Sequence, residues 1–260
     1  MLSYHFRPSL TVPLIRLGST NDGGYLTTKK AVLSADGLIS LGVRSNWDFE
    51  KDFYSINQVS IHAFDSTSPI SFIYYQYIKI IGKILLGKFA KISNLRDLIT
   101  HSADYFFFFR RRVHFEKKTI GNTSQGHTNL DEIFDLFHQN AKLFLSVDIE
   151  SAEYDILATL INRADNLTGL VIEFHGCDQY RKDIEQFIEH FNLTLVHIHA
   201  NNYGGVDENG DPRLLELSFV HPNTLAQEMI YEPPSLPHSF DRPCNAKMDE
   251  LSLRFAPESR

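Results

Sequence analysis

The chain has 260 residues, 43% hydrophobic and 22% charged, which suits an ordinary soluble globular protein and excludes a fibre or a disordered polymer. A net charge of -7 excludes a general nucleic-acid binder, because a phosphate backbone demands a concentrated positive surface. The two cysteines, Cys177 and Cys244, are too few and too far apart for a disulfide framework or a four-thiolate zinc site, so both are expected as buried free thiols in a reducing cytoplasm.

In chain order, the opening "MLSYHFRPSLTVPLIRLG" is broken by Arg7, Pro8, Pro13 and Arg16 and lacks the apolar core of a secretory signal. No apolar run long enough for a membrane span follows. "NDGGY" predicts a turn with Gly23 or Gly24 at positive φ. "DGLISLGV" reads as a buried strand ending near Gly42, "SNWDFEKDFYSIN" as a helix, and "VSIHAFD" as a strand ending in Asp65.

From Pro69 to about Arg112 the alternation stops for a mostly helical insertion. At 100° per residue, Tyr74, Ile78, Ile81, Leu85 and Phe89 fall on one face, with Gln76, Lys79, Lys83 and Lys91 on the other. The segment ends in "YFFFFRRRV". It admits three readings: a lid over the acceptor, a homodimer contact, or peripheral contact with the inner membrane surface. Strand "VHFEKKTIG" then resumes the rhythm, followed by helix "TNLDEIFDLF", where Thr128 and Asp131 have the spacing of a capping box. Strand "KLFLSVDIE", helix "SAEYDILATLINRA", strand "LTGLVIEFHG", helix "DQYRKDIEQFIEHF" and strand "LTLVHIHANN" continue it. "LLELSFVHP" is a last strand with no helix before it and should run antiparallel. The expectation is one α/β domain over 1–260.

In an open parallel sheet, ligands bind beyond the carboxyl ends of the strands. Those ends carry Gly42, Asp65, Gly121, then Asp148 with Glu150, Glu173 with His175, and His197 with His199 and Asn201, each set on one face. Carboxylates and imidazoles ending otherwise apolar strands need partners, since buried charge is costly unless paired or metal-bound. An acid ending the second strand is placed to hold ribose hydroxyls, and "LGVRSN" is not the glycine fingerprint of a dinucleotide site. A cofactor with a nucleoside but no pyrophosphate is favoured.

Together, "RLGSTNDGGYL", "LISLGVRSNWDFEKDF", "IHAFDST", "LSVDIESAEYDIL", "LVIEFHG", "HIHANNYGG", "LELSFVHP" and "DRPCN" resemble the FkbM-like branch of S-adenosylmethionine-dependent methyltransferases. The likeness spans most of the chain apart from 69–112, with Ser151 where that branch has glycine. It implies a Rossmann-like class I methyltransferase sheet of about seven strands, the last antiparallel. It also implies S-adenosylmethionine as cofactor, with Leu41, Gly42 and Val43 under the methionine, Asp65 and Ser66 at the ribose, and Ile120 and Gly121 at the adenine. The implied activity is O-methylation of a sugar, surface-glycan or other small-molecule hydroxyl.

Two devices for activating that hydroxyl fit the residues. His175 or His199 could act as general base. Alternatively Asp148, Glu150, His175 and His199 could hold a divalent ion, with mixed donors suiting Mn, Fe, Zn or Ni better than Mg or Ca. The number of ligating groups favours the second. Asn201, Asn202 and Glu173 are expected at the acceptor. A metal-dependent hydrolase and a non-catalytic methyltransferase-like binding protein are the rival readings of the same rim.

Overall fold

The computed structural model describes residues 1–85, 92–121, 123–225 and 229–257. Phe89 and Lys91 of the expected insertion helix, with the Leu85 side chain, lie outside that description. Strands β3 (Gly37–Leu41) and β6 (Leu143–Val147) are buried at every position, which requires a sheet covered on both faces. Alternate side chains accordingly feed two layers. Leu38, Phe144 and Val171 pack with Phe49 and Phe53 of α2 (Asp48–Ile56), while Ile39, Leu145 and Ile172 pack with Ile156 and Leu160 of α7 (Glu153–Asn162). Each such side chain, fully buried, contributes about 1.5–3 kcal/mol.

The other parallel strands are β4 (Ser60–Asp65), β5 (Val113–Lys117) and β7 (Leu167–His175). After α8 (Arg181–His190) come β8 (Thr194–Ala200) and β9 (Leu214–Val220). The sheet order is β5-β4-β3-β6-β7-β9-β8; the first five strands run parallel and β9 is antiparallel to both neighbours. This is a seven-stranded Rossmann-like α/β sheet, with its last strand antiparallel. Both cysteines are free and buried.

Several local expectations are revised. A hairpin, β1 (Ile15–Gly18) and β2 (Gly24–Thr27), precedes the sheet where no strands were expected, and Gly23 at φ +77 makes its turn. The helix at 130 is short, α6 (Leu130–Phe134), and Asn129 caps it, its Oδ1 accepting the Asp131 N–H at 3.0 Å. Thr128 lies one residue too early, its N–H donating to the Thr119 carbonyl, and Asp131 instead receives Arg163 at 2.7 Å. After α1 (Lys29–Leu33), the insertion forms α3 (Pro69–Leu85) and α4 (Ile92–Asp104), a π-helical turn at Tyr105–Phe109 and α5 (Arg110–Arg112). In α3 the packed stripe is Ile73, Tyr77 and Ile80, and the expected stripe of Tyr74, Ile78 and Ile81 faces solvent. The helix is apolar on most of its circumference, so two stripes one residue apart satisfy the same spacing.

Candidate active site

The parallel strands end on one rim, and two adjoining cavities lie along it. The first is lined by Gly42, Arg44, Asp65, Ser66, Ile120 and Asp148 among others; the second includes Asp22, Tyr25, Leu41, Val43, Glu50 and Asp148. Gly42 and Arg44 line both. The residues expected around a nucleoside cofactor therefore converge, except that Gly121 turns toward His127 and Asp155, where an added Cβ would come within 3.1 Å of each.

Close approach of two strand ends builds the junction. Gly42 has φ +88, and a Cβ there would lie 1.6 Å from the Asp148 carbonyl oxygen. Asp65 is buried; its Oδ2 accepts the Arg44 N–H at 2.7 Å, and its Oδ1 accepts from the Thr67 N–H at 2.6 Å and hydroxyl at 2.7 Å. Three donors thus hold Asp65 at the cavity wall, with one acceptor site left, on Oδ2. On the methionine side, Glu50 is buried; Ser40 Oγ donates to its Oε1, its Oε2 has no partner among the described residues, and burial pushes its carboxyl up to about 7. The β1–β2 turn, through Asp22 and Tyr25, closes this side, where the sequence favoured a plain turn over a place near the cofactor.

Beside Asp148 lies a carboxylate group around one imidazole. His175 Nδ1 is 3.0 Å from Glu153 Oε1, while its Nε2 faces Asp148 Oδ1 at 3.7 Å, Glu150 Oε2 at 3.7 Å and Glu173 Oε1 at 3.8 Å. Those three separations exceed hydrogen-bond length. Asp148 Oδ1 and Glu153 Oε2 are buried with no hydrogen-bond partner among the described residues. Burial raises the Asp148 carboxyl to about 7, and the charges of Glu150 and Glu153 add to it while His175 opposes. Burial works against a charged His175, yet the bond and charge of Glu153 leave its pKa above the usual value. Burial, then Glu216 and Asp148, raise Glu173 well above the carboxylate range. Glu150 and Ser151 have φ +54 and +78, so the loop carrying these acids is strained at the position where a glycine was expected. Arg44, also at positive φ, reaches Glu150 at 2.5 Å.

The expected four-member set divides. Asp148, Glu150 and His175 come together, but His199 joins Glu216 and Cys244. The register explains it: β9 lies between β7 and β8, so Glu216 stands between Glu173 and His199 in one row. His199 Nδ1 is bonded to Glu216 at 2.7 Å and Nε2 to Glu250 at 2.9 Å. Burial opposes its charge, but bonds with Cys244, Glu216 and Glu250 outweigh that and push its pKa up to about 12. With both ring nitrogens committed and the ring charged, His199 is neither a general base near neutrality nor a ligand beside Asp148. His197 is held by Asp241 at 3.2 Å.

Asn201 donates to Glu173 Oε1 at 2.9 Å, so it supports the rim. Asn202, expected at the acceptor, is fully buried: its amide N–H groups meet the carbonyls of Asn245, Met248 and Asp249, and its Oδ1 accepts the Asn245 N–H at 2.7 Å. It pins the C-terminal segment, with nothing left for a ligand. Glu153 is the residue that sequence reasoning missed. It lies in the first turn of α7, where an acid is expected for helix reasons alone, and its only signal was its place five residues beyond Asp148.

Comparison with protein-family models gives no match, and neither does comparison with curated proteins. Among solved structures, the chain is similar to a fibrillarin pre-rRNA processing protein of Methanococcus jannaschii, at TM-score 0.37 and 12% identity over 74% of this chain and 68% of that one. Precorrin-6y C5,15-methyltransferase from Geobacter metallireducens GS-15 aligns at TM-score 0.37 and 12% identity, over 74% and 83% of the two chains. The METTL16 MTase domain aligns at 0.38 and 7%, over 73% and 61%. The fold assignment rests on the strand order, and the chemistry on the residues of the rim.

Proposed function

We propose that the chain is an S-adenosylmethionine-dependent methyltransferase acting on a hydroxyl of a small-molecule or glycan acceptor, assisted by a divalent cation. The observation that carries this reading is adjacency: the cavity walled by Asp65 and the Asp148–Glu150–His175 group share Asp148 itself. A nucleoside donor and an activated acceptor oxygen would meet at that residue.

The donor fits because Asp65 Oδ2 presents free acceptor capacity to a ribose hydroxyl and the Gly42 turn leaves backbone, not side chain, against the ligand. When bound, S-adenosylmethionine supplies the electrophilic methyl. The cation fits because four carboxylates, Glu153 and Glu173 buried, Asp148 half-buried and Glu150 exposed, crowd a single imidazole, and Asp148 Oδ1 and Glu153 Oε2 have no hydrogen-bond partner among the described residues. Asp148, Glu150 and His175 would hold it, and Glu153 would fix the His175 ring through Nδ1, as outer carboxylates do at metal centres. One imidazole among oxygen donors favours manganese. When bound, such an ion lowers the pKa of an acceptor hydroxyl. In this reading Asp148 would receive the hydroxyl proton on the oxygen turned away from the cation, and Asn201 keeps Glu173 in place.

Isothermal calorimetry with S-adenosylhomocysteine tests the first half. Micromolar binding is expected, weakened about 10–100-fold in Asp65→Ala by loss of a hydroxyl contact to a charged acceptor. No heat of binding to the folded parent protein would remove the methyltransferase reading. For the cation, Mn titration monitored by electron paramagnetic resonance should show one site whose affinity drops about 10–100-fold in Glu153→Gln. Equal affinities would strip Glu153 of its orienting role.

A further inference from the structure

Among the described residues, ten of the twenty exposed large hydrophobic side chains fall between Ile70 and Phe107. On α3, Ile70, Tyr74, Ile78 and Ile81 project within one sector, beside the stripe that packs inward; farther along, Phe106 and Phe107 are exposed too. Contiguous apolar surface of this kind marks a binding face. The charge of the same segment is distinctive. Residues 69–112 hold eight Lys and Arg against Asp97 and Asp104, a net +6 within a chain of net -7. Lys79, Lys83, Arg110 and Arg111 are exposed, and Arg111 lies over the Phe107 ring at 5.5 Å.

We propose that α3, with the Phe106–Arg111 turn that follows α4, docks on the surface of an anionic lipid bilayer. The apolar sector would enter the headgroup boundary, tyrosines and phenylalanines at the level where amphipathic rings reside, while Lys79 and Lys83, on the polar face of the same helix, hold their charges at the level of the lipid phosphates. Charge decides between occupants. A second copy meeting this face by two-fold symmetry would bring one positive segment against another, whereas anionic lipid complements it. The contact is peripheral: among the described residues no helix is long and apolar enough to cross a membrane. The proposal stands independently of the methyltransferase reading.

Flotation of the full-length protein with vesicles tests it. The protein should rise with vesicles of phosphatidylcholine mixed with phosphatidylglycerol at low salt, stay at the bottom with phosphatidylcholine alone, and be released as salt increases. Tyr74→Ser with Ile78→Ser, and separately Lys79→Glu with Lys83→Glu, should each lower the bound fraction about ten-fold or more at unchanged melting midpoint, since all four side chains are exposed. Failure to float with anionic vesicles at low salt overturns the proposal, as does flotation that either variant pair leaves unchanged. A dimer in analytical ultracentrifugation that Tyr74→Ser with Ile78→Ser dissociates, without vesicle binding by the parent, assigns the face to a second copy and overturns it equally.

Discussion

A Gly42→Ala variant should melt on the order of 10 °C below the parent protein in differential scanning calorimetry. Two costs coincide at this position. An L side chain at φ +88 costs about 1–2 kcal/mol. The new Cβ would also lie 1.6 Å from the Asp148 carbonyl oxygen, backbone that cannot rotate away like a side chain, so the ends of β3 and β6 must separate. Together these reach about 3–5 kcal/mol, at roughly 2–4 °C per kcal/mol for a domain of this size. Because the displaced atoms belong to Asp148, the variant should also lose S-adenosylhomocysteine binding. A melting midpoint within a degree or so of the parent's would mean that the two strand ends are not held in contact.

Replacing Glu50 by glutamine should remove a pH-dependent loss of stability. The folded carboxyl titrates at about 7, against 4.5 for a free glutamate, because burial disfavours its charged form. Its contribution is therefore fully present below the unfolded value and is lost as the pH rises through about 7. Above that the buried carboxylate lowers stability by about 3 kcal/mol. The parent should lose this increment between about pH 4.5 and 8, and Glu50→Gln, which keeps an acceptor for Ser40, should not. Urea unfolding at several pH values reads the difference. Identical pH slopes would show that Glu50 reaches solvent or finds a cation in the folded protein.

The sheet was legible because parallel strands covered on both faces leave uninterrupted apolar runs, and because their polar termini, Asp65, Asp148 and His175, stand out against those runs. The class of the sheet followed from alternation plus one connector too short for a crossover. What alternation does not encode is lateral order. Placing β9 between β7 and β8 moved His199 away from His175 and gave it to Glu216, a residue that read simply as part of the last strand. The α3 stripe was shifted for a related reason: periodicity says that a helix has a packed side, but where most sides are apolar only tertiary contacts choose it. Asn202 and Glu153 exchanged importance because hydrogen-bond partners distant in sequence, Asn245 for one and His175 for the other, decide which polar group is spent and which is available.

The wedged position of β9 also sets an order of events during synthesis. Among the described residues β8 has no neighbour in the finished sheet except β9, and β7 pairs with β9 from Gly169 to His175. Until residues 214–220 have left the ribosome, the nascent chain carries two strands with unpaired N–H and C=O groups, and the sheet can form only from β5 to β7. Such bare edges are templates for other chains, so fragments ending before Leu214 should aggregate while a chain carried past Val220 closes both edges in one step.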